Sequence, residues 1–145
     1  MNLSILPYSD VYLNEVKSLA DRNNDILKPN TKMLYFIVAR LFTNISFVAL
    51  VNNNVVGFII SFQNDNRIWL HQLAVDKEFR GKGIGKSLIQ KLEVVAGNSK
   101  IEFSVKENNY KAIKLYEKLG YKKDMLNTEI EQIIYKKTLA NKEVK

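Results

Sequence analysis

The chain has 145 residues, 46% of them hydrophobic and 26% charged, values that suit one globular domain with a core of its own. Its formal charge of +7 favours an anionic partner, and the absence of cysteine excludes disulfides, thiolate metal sites and cysteine nucleophiles. The single histidine leaves too few donors for a protein-built zinc site, so no metal is expected.

The opening "NLSIL" reads as a short strand halted at Pro7. From Asp10, the apolar positions Val11, Leu13, Val16 and Leu19 predict an amphipathic helix capped by Ser9 or Asp10. A polar break, "DRNNDILKPN", follows, and Thr31 can cap a second helix running to about Phe42. The N-terminus lacks the positive segment and long apolar run of a signal peptide. The longest apolar run, "MLYFIVA", falls far short of the roughly 20 residues that span a membrane. A cytoplasmic protein with no membrane partner is therefore expected.

The period then changes. "SFVALV", "VVGFIISF" and "RIWLHQLAV" are rich in β-branched and aromatic residues, and "NNN" and "NDN" between them are turn signals because Asn tolerates positive φ. This predicts an antiparallel meander of three strands. After the stretch "FRGKGIGKSL", the positions Ile84, Leu88, Ile89, Leu92 and Val95 mark one face of a helix stopped at Gly97-Asn98. "KIEFSV" is a strand, and "NNYKAIKLYEKLGY" a helix with Asn108 or Asn109 as N-cap and Gly120 at its left-handed end. Two strands near Tyr121–Leu126 and Glu131–Thr138 finish the chain. Strand, glycine turn, helix and strand make a β-α-β crossover joined to an antiparallel meander, so the fold class is α+β, a central sheet covered by helices.

"FRGKGIGKSL" matches neither common nucleotide loop. A Walker A loop needs its first glycine where Arg80 stands, and the third glycine of a dinucleotide fingerprint falls on Lys86. An NTPase would also need an aspartate ending a later buried strand, where "KIEFSV" offers only Glu102. What the loop does offer is a helix N-terminus, whose first amides are unpaired and partially positive. Gly81, Gly83 and Gly85 bare those amides, and Arg80 and Lys82 add charge beside them; Lys82 and Lys86 read as phosphate contacts or as exposed solvated lysines. Such a pocket suits a phosphate or diphosphate; a turn with glycines for packing alone is the plainer alternative. The basic stretches "YKKDM" and "YKKTLANKEVK" read as a solvated face and a frayed tail. No basic block is interleaved with aromatics as a nucleic-acid groove requires, so no nucleic-acid partner is expected.

Arg80-x-x-Gly83-x-Gly85, after "LAVDKEF" and before an amphipathic helix, resembles the acyl-CoA signature of the GCN5-related N-acetyltransferase (GNAT) superfamily. "NYKAIKLYEKLGY" is similar to that family's second segment, with Asn109, Ala112, Tyr116, Gly120 and Tyr121 at its marked positions. The resemblance runs from about Ser46 to the C-terminus. It implies a three-layer α/β/α fold with a mostly antiparallel twisted sheet. It also implies one N-acetyltransferase domain over 1–145: acceptor-side helices in 1–45, an acyl-CoA core in 46–138 and a frayed tail in 139–145.

The resemblance further implies acetyl-CoA as cosubstrate, with its pyrophosphate on Arg80, Gly81, Lys82, Gly83, Ile84, Gly85, Lys86 and Ser87. Leu73, Ala74 and Val75, on a strand splaying from its neighbour near Ser104, would pair with the pantetheine arm. Asn109 would cap its helix and touch the cofactor. Tyr116, which also reads as a core aromatic, would contact the cofactor and donate a proton to the departing thiolate. For the base, His71 has a suitable reference pKa, with a water chain as the alternative; Asp76 and Glu78 are expected to be solvated. The reaction implied is direct attack by a primary amine of a small molecule or peptide. A non-catalytic acyl-CoA-binding or regulatory module of the same fold is the alternative. "LKPNTKMLYFIVARLF" and the strands after it resemble diaminobutyrate acetyltransferases, although His71-Gln72 stands where that group usually carries Trp-Gln. A small amino acid, a polyamine, an aminoglycoside-like compound and a protein amino group stay open as acceptors. Small members of the superfamily often pair, so a homodimer stays open too.

Overall fold

The computed structural model describes residues 1–22, 40–97, 99–127 and 132–138. The second helix expected from Thr31 lies outside the described residues except at its end, where Arg40 and Leu41 are helical. Asn98 and the tail expected at 139–145 also lie outside them.

The elements follow the expected order: β1 (Leu3–Pro7), α1 (Leu13–Arg22), β2 (Phe47–Val51), β3 (Asn54–Asn64), β4 (Arg67–Val75), α2 (Ile84–Ala96), β5 (Lys100–Lys106), α3 (Tyr110–Lys118), β6 (Lys122–Asn127) and β7 (Gln132–Thr138). Hydrogen-bonded strand order is β1-β2-β3-β4-β5-β7-β6. β2 and β3 pair antiparallel across Asn52 and Asn53, whose φ values of 51° and 68° are those of a tight hairpin turn. β4 and β5 pair in parallel from Arg67↔Lys100 to Trp69↔Glu102, as the crossover through α2 requires. β7 lies between β5 and β6 and is antiparallel to both.

Contacts group the chain into two compact units, the first of Met1–Phe62 and Leu70–Val95, the second of Gln63–Trp69 and Ala96–Lys145. In the first, Val16, Leu19 and Ala20 of α1 are fully buried among Tyr8, Val48, Leu50, Phe58, Ile60 and Ala74. Each large apolar side chain so placed is worth about 1.5–3 kcal/mol relative to its exposed state. Ile84, Leu88, Ile89 and Leu92 of α2 are equally buried. Gly57 lets α2 approach β3: an added Cβ would lie 3.1 Å from the Ala74 carbonyl oxygen and 3.4 Å from Ile84 and Leu88. The register of β2 with β3 passes from Ala49↔Gly57 to Leu50↔Val55, leaving Val56 as the extra residue of a bulge.

Two helix faces differ from expectation. Val11 is 77% exposed, because Asp10–Tyr12 form a 3-10 turn, capped by Ser9, and the α-helix starts only at Leu13. Val95 is 43% exposed, and Ala96 extends the buried stripe of α2 in its place.

In the second unit Phe103 of β5 is the hub of an aromatic cluster. Its ring lies 4.0 Å from that of Tyr116, 5.2 Å from Tyr121 and 5.8 Å, stacked, from Tyr135. Glu102, on the opposite face of β5 by strand alternation, is buried and paired with Arg67 at 2.8–2.9 Å.

Candidate functional site

β4 ends at Val75, and the chain turns through a short 3-10 segment, Lys77–Phe79, into the glycine loop. Asp76 starts that turn. Its side chain accepts the Glu78 amide, and its own carbonyl accepts the Phe79 amide at 2.8 Å. The expectation of a solvated Asp76 is corrected here, because the carboxylate is paired with Arg22 at 3.0 Å. Glu78 is exposed as expected.

Gly81 and Gly83 hold φ of 78° and 83°, a region that costs other residues about 1–2 kcal/mol. Nothing lies within 4 Å of where their Cβ atoms would be, so backbone conformation rather than crowding demands glycine. Gly85 sits in the first turn of α2. The first bond of that helix runs from the Ser87 amide to the Gly83 carbonyl at 3.0 Å. The amides of Ile84, Gly85 and Lys86 therefore precede the ladder and point out of the helix end. Arg80, Gly81, Lys82, Gly83 and Lys86 are exposed, Gly85 and Ser87 half-buried, and Ile84 buried as the anchor of the helix. The local potential is positive and open to solvent.

The strand before the loop presents main chain. The Asp76 amide donates to the Val56 carbonyl of β3 at 2.8 Å. Strand alternation then turns the polar groups of Val75 and Leu73 away from β3. Two side chains meet them there: Arg80 Nε donates to the Val75 carbonyl at 3.0 Å, and Gln72 Nε2 to the Leu73 carbonyl at 3.3 Å. Ala74 faces the core, 2% exposed. His71, one turn of the pleat earlier, is half-buried with its ring edge against Phe62, centroids 6.0 Å apart. Burial lowers its pKa from the usual 6.5, so the imidazole is neutral at physiological pH.

Residues 71–87 are thus brought together within the first unit. Asn109 and Tyr116 belong to the second. Asn109, not Asn108, caps α3: its Oδ1 accepts the Ala112 amide at 3.3 Å, which leaves the amide nitrogen for another partner. Tyr116 is 7% exposed and packed on Phe103, and burial pushes its phenol well above the usual range. Its hydroxyl stays protonated. Sequence reading missed the pairing of Arg22 with Asp76, which are 54 positions apart. It also missed the bulge at Val56. Only Gly57, a glycine inside an apolar strand, signalled a close approach there. Among the described residues, no group of three or more His, Cys, Asp or Glu side chains could hold a metal ion, and no helix is long and apolar enough to cross a membrane.

The model of the Acetyltransferase (GNAT) family matches residues 14–121. N-alpha-acetyltransferase 30 of Schizosaccharomyces pombe is 32% identical over 127 residues, covering 82% of this chain and 83% of that protein. Among solved structures, Arabidopsis thaliana Naa50 in complex with the bisubstrate analogue CoA-Ac-MVNAL superposes with a TM-score of 0.78 at 24% identity, covering 95% of this chain and 99% of that one. Diaminobutyrate acetyltransferase EctA from Paenibacillus lautus, in complex with L-2,4-diaminobutyric acid and coenzyme A, superposes with a TM-score of 0.79 at 18% identity over 97% of both chains. At these identities the superpositions show the fold.

Proposed function

The chain belongs to the GNAT family of acetyltransferases, and from that premise we propose that it moves the acetyl group of acetyl-CoA to the α-amine of a peptide. The observation that carries the cofactor half is the set of bare amides at Ile84–Lys86, fronted by Gly81 and Gly83 with open space where side chains would stand. A pyrophosphate fits there: several converging N–H donors, a helix dipole and nearby cations all favour a compact dianion. A Walker-type magnesium nucleotide fits less well, since no glycine stands at Arg80.

The thioester, when bound, supplies the activated acetyl group. The main chain of Leu73–Val75 aligns the pantetheine arm as an added strand would, which explains why "LAV" carries no chemistry in its side chains. Neutral His71 takes a proton from the amine, directly or through water. Tyr116, kept protonated by burial, gives its proton to the departing thiolate. Asn109 offers its free amide nitrogen to the cofactor while its oxygen holds the helix.

The α-amine is favoured as acceptor by the relative that aligns over most of this chain, an N-alpha-acetyltransferase. Chemistry supports it as well. An α-amine has a reference pKa near 7.7–8.0, so roughly a tenth or more is already free base at pH 7, several hundredfold more than for a lysine amine near 10.4. Thiol release from acetyl-CoA should be rapid with peptides bearing a free N-terminus and absent with the same peptides N-blocked but lysine-containing. Preference for spermidine or diaminobutyrate over every peptide would replace the acceptor. Binding of coenzyme A without turnover on any amine would make the chain a non-catalytic module.

A further inference from the structure

We infer that Asp76, held by Arg22, is a positioning residue that sets the pose of the glycine loop and hence its grip on the cofactor. The inference rests on the reading that the loop amides bind the pyrophosphate. Four bonds meet at Asp76. Its amide donates to the carbonyl of the bulged Val56 at 2.8 Å, and its carbonyl accepts the Phe79 amide at 2.8 Å. One carboxylate oxygen accepts the Glu78 amide, and the other receives the Arg22 guanidinium at 3.0 Å. All of these partners lie in the first unit.

The position of this junction gives it leverage. β4 stops one residue before it and the loop begins four residues after it, so the direction in which the chain leaves the sheet is set at Asp76. The bulge aims the Val56 carbonyl at it, and bulges commonly re-aim the chain in this way. Arg22 is the last residue of α1, where a cation also complements the helix dipole. Its side chain is 52% exposed and that of Asp76 20% exposed, so the pair adds little to global stability. Anion binding by several amides is more sensitive than folding is, because every donor must converge on one point. A carboxylate is needed for both duties: an amide side chain in its place keeps an oxygen for the Glu78 cap but loses the attraction to Arg22.

The test compares coenzyme A titration calorimetry, steady-state kinetics and thermal melts for the wild type, Arg22→Met, Arg22→Lys, Asp76→Asn and Asp76→Ala. Arg22→Met and Asp76→Asn should each weaken coenzyme A by about twofold to fivefold, the range of a partly exposed ion pair. The two together should be no worse than either alone, since they remove one interaction. Arg22→Lys should recover most of the loss. Asp76→Ala, which also removes the cap, should reach about tenfold. The kcat at saturating acetyl-CoA and the KM of the amine should hold throughout. Unchanged affinity in Arg22→Met, fully additive effects, or a loss that disappears when corrected for the folded fraction would overturn the inference. A wild type that itself gives no heat with coenzyme A would overturn the loop reading instead, and the two failures are therefore distinct.

Discussion

In the proposed function, the glycine loop and the aromatic cluster would serve chemistry by opposite means. In the loop the proposed binding groups are main-chain amides, aimed by the positive φ of Gly81 and Gly83 and by a helix end. In the cluster the proposed acid is one side-chain hydroxyl, that of Tyr116, buried against Phe103 and Tyr121 and held protonated by that burial. Backbone binding tolerates changes of side chain and fails with changes of conformation. Side-chain catalysis fails with the loss of one atom and depends on packing to hold that atom still.

This contrast can be broken in sequence. Phe103→Ala should have the largest effect, about 3–5 kcal/mol of stability by urea denaturation, because it removes the ring that three tyrosines touch. Tyr116→Phe removes only the hydroxyl. Its kcat should fall about 100-fold, while coenzyme A affinity and the melting temperature stay close to wild type. An unchanged kcat would make Tyr116 a packing residue alone. Gly83→Val forces a β-branched residue to a φ of 83°. It should weaken coenzyme A about tenfold at a cost of about 1–2 kcal/mol of stability, with kcat at saturation retained.

The smallest effect should lie in the pH dependence of His71. Burial lowers its folded pKa below the unfolded 6.5, so the unfolded chain binds the proton more readily. The associated stability is present above pH 6.5 and is lost as pH falls through the folded value. Urea denaturation of His71→Gln should show a shallower acid loss than wild type. If neutral His71 is the base, its limb in the kcat/KM profile should lie below 6.5, and any limb near pH 8 belongs to the peptide amine.

How much was legible follows from the same contrast. The loop's conformation was readable because its glycines and the helix start at Ile84 leave local marks in sequence. The hairpin at Asn52-Asn53 and the cap at Asn109 were readable for the same reason. Contacts between residues far apart left none: Arg22 with Asp76, Arg67 with Glu102, and the insertion of β7 between β5 and β6. Val11 and Val95 show the limit of periodicity. A stripe reports which face is buried, but the 3-10 start at Asp10 and the end of α2 shift which residues lie on it.

The central claim is that the amides fronting α2 hold the cofactor's anion, and amide-resolved NMR during titration with coenzyme A tests it most directly. The largest shifts should fall on Gly81, Gly83, Ile84, Gly85 and Lys86, and their titration midpoint should move to about tenfold higher ligand in a folded Gly83→Val protein. Saturable binding that leaves those five amides unmoved would contradict the account.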